Sequence, residues 1–142
     1  LAAKLQNSQR RVYAVISDAE CNEGSIWEAA MFAAHRKLGN LVATIDLNGQ
    51  QALGYTNDVC AIPCAAERWR AFGWNVHEVD GHDVAALSAA LSQCEIDQER
   101  PHIIVARTTF GKGVSFMEQQ IKWHYLPLTD EDFTQAMKEV ES

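Results

Sequence analysis

A three-layer α/β/α fold, with helices on both faces of a mainly parallel sheet, is predicted by three observations. Four short runs rich in apolar and β-branched residues, RVYAVIS from Arg11, LVATIDL from Leu41, NVHEV from Asn75 and HIIVARTT from His102, read as strands. A helical pattern separates each run from the next, which is the order of βαβ units. The first three runs end on turn formers, Asp18, Asn48-Gly49 and Asp80-Gly81. A chain of 142 residues, 47% hydrophobic with 3 prolines, has the composition of one globular domain and not of a disordered segment. At this size roughly 68–70% of the unfolded surface is buried, so the core requires no disulfide or metal staple.

Leu1-Ala-Ala-Lys-Leu5 reads as the last turns of an apolar helix, and the expectation is a single domain, residues 1–142, that lacks its N-terminal part. Arg11 to Ser17 reads as a buried strand. Glu23 to Leu38 follows as a helix of about four turns, with Lys37 and Gly39 as its stop. Apolar residues Ile26 to Ala34 surround most of that helix, so its burial on more than one side is expected. Leu41 to Leu47 is the second strand, and Gln50 to Ala61 reads as a polar loop. A short helix over Ala65 to Phe72 leads to the third strand, and Asp83 is placed to cap a helix running to about Glu95. His102 to Thr109 forms the fourth strand, and a glycine-punctuated loop precedes a last helix capped by Thr129 or Asp130.

The 12 basic and 19 acidic residues leave a formal charge of −7, opposite to the footprint of a nucleic-acid binder. No apolar stretch approaches the roughly 20 residues needed to span a bilayer, and the chain reads as cytoplasmic. Cys21, Cys60, Cys64 and Cys94 show no metal-type pairing and read as reduced, idle thiols.

Ligands of parallel sheets bind beyond the carboxyl ends of the strands. Asp18 and Asn48 stand thirty residues apart, the length of one βαβ unit, so a right-handed crossover brings both to one crevice. A carboxylate, a side-chain amide oxygen and a backbone carbonyl from the following turn are hard donors that suit Mg²⁺ or Ca²⁺ bridging a diphosphate. Ala19 is small enough for backbone amides to approach a phosphate, and the next helix points its positive end at the same place. Spacing alone leaves the plainer reading open, that of strand-end turn residues.

Beyond spacing, SDAECNEGSIWEAA followed by NLVATIDLNGQQ resembles the thiamine diphosphate signature of the transketolase family, a G-D-G, an E-G pair and an Asn about thirty positions after the Asp. GWNVHEVDGHD, ARTTFGKGVSFME and His124-Tyr125-Leu126-Pro127-Leu128, similar to the family's H-G-A-P-L, extend the resemblance in order over nearly the whole chain. It implies a transketolase-like component that transfers a two-carbon ketol unit between sugar phosphates with thiamine diphosphate and Mg²⁺, Ca²⁺ or Mn²⁺ being possible substitutes. It also implies Asp18, Asn48 and the Gln50 carbonyl as metal ligands, and Asp18, Ala19, Glu20, Asn48, Gln50 and His124 as cofactor contacts. Glu23 matches an interface glutamate that supports the cofactor-activating glutamate of a partner, and His124 matches a proton-transfer group near the reacting carbon.

The implied partner is a pyrimidine-binding domain or a C-terminal transketolase subunit, in a homo- or hetero-oligomer. Ser17 and Ala19 replace both glycines of the signature, and Tyr125 replaces the glycine after His124, beside the implied substrate channel. The alternatives are a deoxyxylulose phosphate synthase-like or 2-oxoacid-decarboxylating, acyloin-forming enzyme, and a non-catalytic cofactor-binding or assembly module. His82 and Asp83 read as a turn and a cap, Lys112 as a solvated loop lysine, and Trp27, Trp69, Trp74 and Trp123 as packing residues.

Overall fold

The computed structural model describes residues 1–61, 65–94 and 99–141. Cys64 and Glu95 lie outside the described residues. A helical turn, α1 (Ala2–Leu5), precedes strand β1 (Val12–Ser17). A 3₁₀ turn (Glu20–Asn22) leads into α2 (Gly24–His35) and then β2 (Leu41–Leu47). The segment expected to be a loop folds instead into a small antiparallel hairpin, β3 (Gln50–Gln51) and β4 (Gly54–Tyr55), and a short helix, α3 (Thr56–Cys60). Its polar residues hid it, because here the hydrogen bonds run to Asp18 and not to a hydrophobic core. After these come α4 (Ala65–Ala71), β5 (Asn75–Asp80), α5 (Val84–Gln93), β6 (His102–Arg107) and α6 (Asp130–Val140).

The four long strands pair in parallel in the order β1-β2-β6-β5, so all four carboxyl ends lie on one side. On one face Ala43, Ile45, Ile103 and Val105 pack under Ala30 and Ala33 of α2 and Trp69 of α4. Trp27, Trp69, Trp74 and Phe72 form a stack there, with ring centroids 4.8 to 5.3 Å apart. The indole of Trp74 donates to the Ala30 carbonyl at 3.1 Å, which leaves its polar end satisfied in the core. On the other face Val42 and Ile104 pack under Ala90 and Cys94 at the C-terminal half of α5.

Helix α2 ends earlier than its composition suggests. Lys37 adopts φ +51°, and the Lys37 and Leu38 amides return to the Ala34 and Ala33 carbonyls, a Schellman closure. Lys37, and not Gly39, takes the left-handed position. Two burial expectations fail within this chain. Tyr13 and Val15 of β1 are 59% and 76% exposed, and Met31 and Phe32 leave the outer face of α2 open. β1 is an edge strand, and its exposed Tyr13 and Val15 stand on the sheet face that carries Val42, opposite α2. The caps hold as expected: Asp83 accepts from the Ala86 amide at 2.9 Å, and Thr129 with Asp132 closes a capping box on α6.

Candidate functional site

The site is built where β1 and β2 end. In the parallel register Ser17 lies opposite Asp46, so Asp18 emerges beside the exit of β2, and its amide donates to the Asp46 carbonyl at 3.3 Å. Asp18 is fully buried. Its Oδ2 accepts from the Gly49 amide at 2.8 Å and from the Thr56 hydroxyl at 2.9 Å, while its Oδ1 has no partner. A buried carboxylate oxygen without a donor is costly, which marks this atom as a place for a cation. The Gly49 amide faces Asp18 in a turn whose φ is +76°, a backbone state that glycine adopts without strain.

Asn48 is oriented from behind. Thr108 donates to Asp46 Oδ1, Asp46 Oδ2 accepts from Asn48 Nδ2 at 3.1 Å, and Asn48 Oδ1 accepts from the Gln50 amide at 2.8 Å. The chain of bonds settles which end of the Asn48 amide is oxygen, and that oxygen keeps a second lone pair for a ligand. Gln50 is buried and both polar atoms of its side chain lack partners. The fit to a hard divalent cation rests on these features: one orphaned carboxylate oxygen, one aimed amide oxygen and a carbonyl-bearing turn beside them.

Around this core the loop after β1 folds tightly. Glu20 turns its carboxylate back to accept from the Ser17 amide at 2.7 Å and hydroxyl at 3.1 Å, so the serine that replaces a glycine is bound into the loop. Ala19 starts the 3₁₀ turn in helical conformation. Burial, then the Asp18 and Glu20 carboxylates, push the Cys21 thiol up to about 11, so it stays protonated and unreactive at neutral pH. Trp27 pins this loop by donating to the Cys21 carbonyl at 2.7 Å.

The family model described as "Transketolase, thiamine diphosphate binding domain" matches residues 3–141. The chain belongs to the transketolase family. A 6-deoxy-6-sulfo-D-fructose transketolase subunit from a Clostridium species is 39% identical over 141 residues, 99% of this chain and 51% of the relative. An apulose-4-phosphate transketolase subunit from Phocaeicola vulgatus is 39% identical over 140 residues, 99% of this chain and 50% of the relative. The chain thus spans about half the length of these curated relatives. The transketolase of Campylobacter jejuni superposes with a TM-score of 0.90 at 28% identity, covering 99% of this chain and 23% of that one. The α/β/α fold with its four-stranded parallel sheet is therefore the fold of the family's thiamine diphosphate-binding domain.

Within this transketolase domain Asp18, Asn48 and Gln50 come together, with Ala19 and Glu20 on the adjoining loop. His124 ends a 3₁₀ turn (Ile121–His124) that runs beside β3, and its ring stacks on Phe110 with centroids 5.1 Å apart. Tyr125 is exposed and leaves the chain surface open beside it. Glu23 is exposed at the start of α2, where it makes no capping bond. Sequence reasoning missed Asp46, Thr56 and Thr108, whose hydrogen bonds orient Asp18 and Asn48. A strand-end Asp two residues before Asn48 was the one available signal. His82 does more than turn the chain: its Nε2 accepts from the Thr109 amide at 2.7 Å and ties β5 to the exit of β6. Lys112 pairs with Glu118 at 3.6 Å and is exposed, as expected of a loop lysine. Trp123 donates to the Phe116 carbonyl and packs on its ring.

Proposed function

We propose that this chain is the diphosphate-binding half of a transketolase that moves a two-carbon ketol unit between sugar phosphates, using thiamine diphosphate and Mg²⁺. The observation that carries the reading is the buried Asp18 with its unpartnered Oδ1, flanked by Asn48 Oδ1 and the Gln50 turn. In this reading Asp18, Asn48 and the Gln50 carbonyl hold Mg²⁺, which offsets the Asp18 charge and the diphosphate together. The Ala19 amide and the N-terminus of α2 face the diphosphate oxygens. The chemistry that thiamine diphosphate would supply when bound is stabilisation of negative charge on the donor's former carbonyl carbon, which lets the bond from that carbon to its neighbour break.

His124, held flat by Phe110, exchanges protons with the substrate hydroxyls and excludes water from one side. Glu23 stands at the contact with a second subunit or domain, where it supports the group that activates the cofactor's pyrimidine. The exposed faces of β1 and α2 favour such a partner. Two relatives are named for ketoses carrying a sulfonate or phosphate, which favours a donor with a terminal anion.

The test is calorimetric titration of thiamine diphosphate, with and without Mg²⁺, into this chain together with the subunit that co-purifies with it. Mg²⁺-dependent binding is expected, weakened in Asp18→Ala by more than the about 10–100-fold that loss of a supporting residue costs. Unchanged affinity in the variant removes Asp18 from the site. With donors, ketol transfer from a ketose phosphate without CO₂ release is expected; CO₂ release from a 2-oxoacid overturns the assignment.

A further inference from the structure

At the opposite end of the sheet from Asp18, His77 on β5, His102 at the start of β6 and Cys94 at the end of α5 converge. Their ligand atoms all lie within 4.8 Å of one another. His102 and Cys94 are 4% and 1% exposed, and His77 is half-buried. The imidazoles lie edge to edge, with centroids 5.7 Å apart and an interplanar angle of 17°, and His77 Nε2 is hydrogen-bonded to His102 Nδ1 at 3.4 Å. We propose that these three residues form a second metal site, which takes a soft divalent transition ion, Zn²⁺ above all, in a transketolase domain whose other site selects hard Mg²⁺.

Distances and donor chemistry both favour this ion. A tetrahedral ion with Zn–N bonds of about 2.05 Å and a Zn–S bond of about 2.3 Å sets its nitrogens about 3.3 Å apart and its sulfur about 3.6 Å from each. The two imidazole nitrogens already stand at that separation, and an ion bound by both replaces the hydrogen bond between them, each ring turning its nitrogen from its partner toward the metal. Cys94 Sγ has at most about an ångström to travel, within reach of a turn about its Cα–Cβ bond. Two imidazoles and one thiolate prefer Zn²⁺ to Mg²⁺, which takes oxygen donors.

Nothing in the sequence spacing announces this set, because it is assembled from three elements. His77 and His102 share the sheet face that α5 covers, and Cys94 drops onto it from the last turn of that helix. Burial raises the Cys94 thiol while the Arg11 charge opposes the rise, so without metal the sulfur keeps its proton. Entry of Zn²⁺ displaces that proton to solvent, shifts the hydrogen held between the two imidazoles to the other nitrogen of its ring, and forms one Zn–S and two Zn–N bonds, with no change of oxidation state. The bound ion fastens the end of α5 to β5 and β6; His102 stands five strand residues, about 17 Å, before Arg107 at the other end of β6, and His77 three residues, about 10 Å, before Asp80.

The test is titration with Co²⁺, as a coloured substitute for Zn²⁺, of the reduced protein together with its co-purifying partner, with excess Mg²⁺ present throughout. A thiolate-to-cobalt absorption band saturating at one ion per chain, and bleached by added Zn²⁺, is expected. Cys94→Ser abolishes the band, and His77→Gln, at the partly open corner, weakens Zn²⁺ binding by more than about 10-fold. Zn²⁺ also raises the melting temperature of the native protein by more than that of either variant, with circular dichroism reporting that both remain folded. Absence of the band in the native protein overturns the site. So does a band that persists in Cys94→Ser, which traces it to another thiol, or Zn²⁺ affinity unchanged in His77→Gln. Mg²⁺-dependent binding of thiamine diphosphate is measured on the same samples, and its outcome is independent of this site.

Discussion

β1 and β6 carry similar apolar sequences, VYAVIS and HIIVAR, yet they occupy opposite situations in one sheet. Ile103, Ile104 and Val105 of β6 are wholly buried between α2 and α4 on one face and α5 on the other, whereas Val15 of β1 is 76% exposed. Position in the strand order explains the contrast: β6 is central and β1 is an edge. The other edge, β5, is half-buried because α4 and α5 both lie against it. Tyr13 and Val15 of β1 form an open apolar surface on the sheet face that carries Val42, and Met31 and Phe32 of α2 form another on the opposite side of the sheet.

Ile104→Ala sharpens this contrast most. It empties a fully buried position in the central strand and is expected to cost about 3–5 kcal/mol in urea unfolding. A loss under about 1 kcal/mol would show that the centre of the sheet is no better packed than its edge. Gly81→Ala comes next: an added methyl would overlap Thr108 Cγ2 and sit 3.1 Å from the Arg107 carbonyl, at the exit of β6. It is expected to cost about 1–3 kcal/mol and, by moving Thr108, to loosen the Asp46–Asn48 pair. Thr56→Val removes a hydroxyl donor from buried Asp18, with an expected loss of about 1–2 kcal/mol.

Val15→Lys, on the open strand, is expected to change unfolding by no more than about 0.5 kcal/mol while weakening association with a partner in sedimentation measurements. A cost like that of Ile104→Ala would break the comparison. The smallest effect belongs to Glu78, whose carboxyl is held below its ordinary range by the hydrogen bond from Arg70, helped by Arg107. Its folded state is the stronger acid, so its contribution is present above the ordinary carboxylate range and fades as pH falls through the depressed one. The pairs are exposed, so Glu78→Gln is expected to cost about 0.5 kcal/mol or less at pH 7, and nothing once both states are protonated.

Much of the site was legible along the chain. Asp18 and Asn48 are separated by one βαβ unit, and that connection has a fixed hand and length, so their meeting is a local consequence of strand order. The hairpin was not legible: it sits between Gly49 and Thr56, whose amide and hydroxyl both reach a carboxylate thirty-odd residues away, and no hydrophobic period records that. The His77, Cys94 and His102 cluster was equally silent, because its members come from two strands and a helix end and never share a local spacing.

By itself the sequence determined the class of fold and the strand ends that carry Asp18 and Asn48, since periodicity and turn residues are local properties. The tertiary structure alone decided which apolar strand is buried, which carboxylate oxygen is left unpartnered and which imidazoles meet a thiol. Those depend on strand order and on the register between elements distant in the chain, which no window of sequence contains.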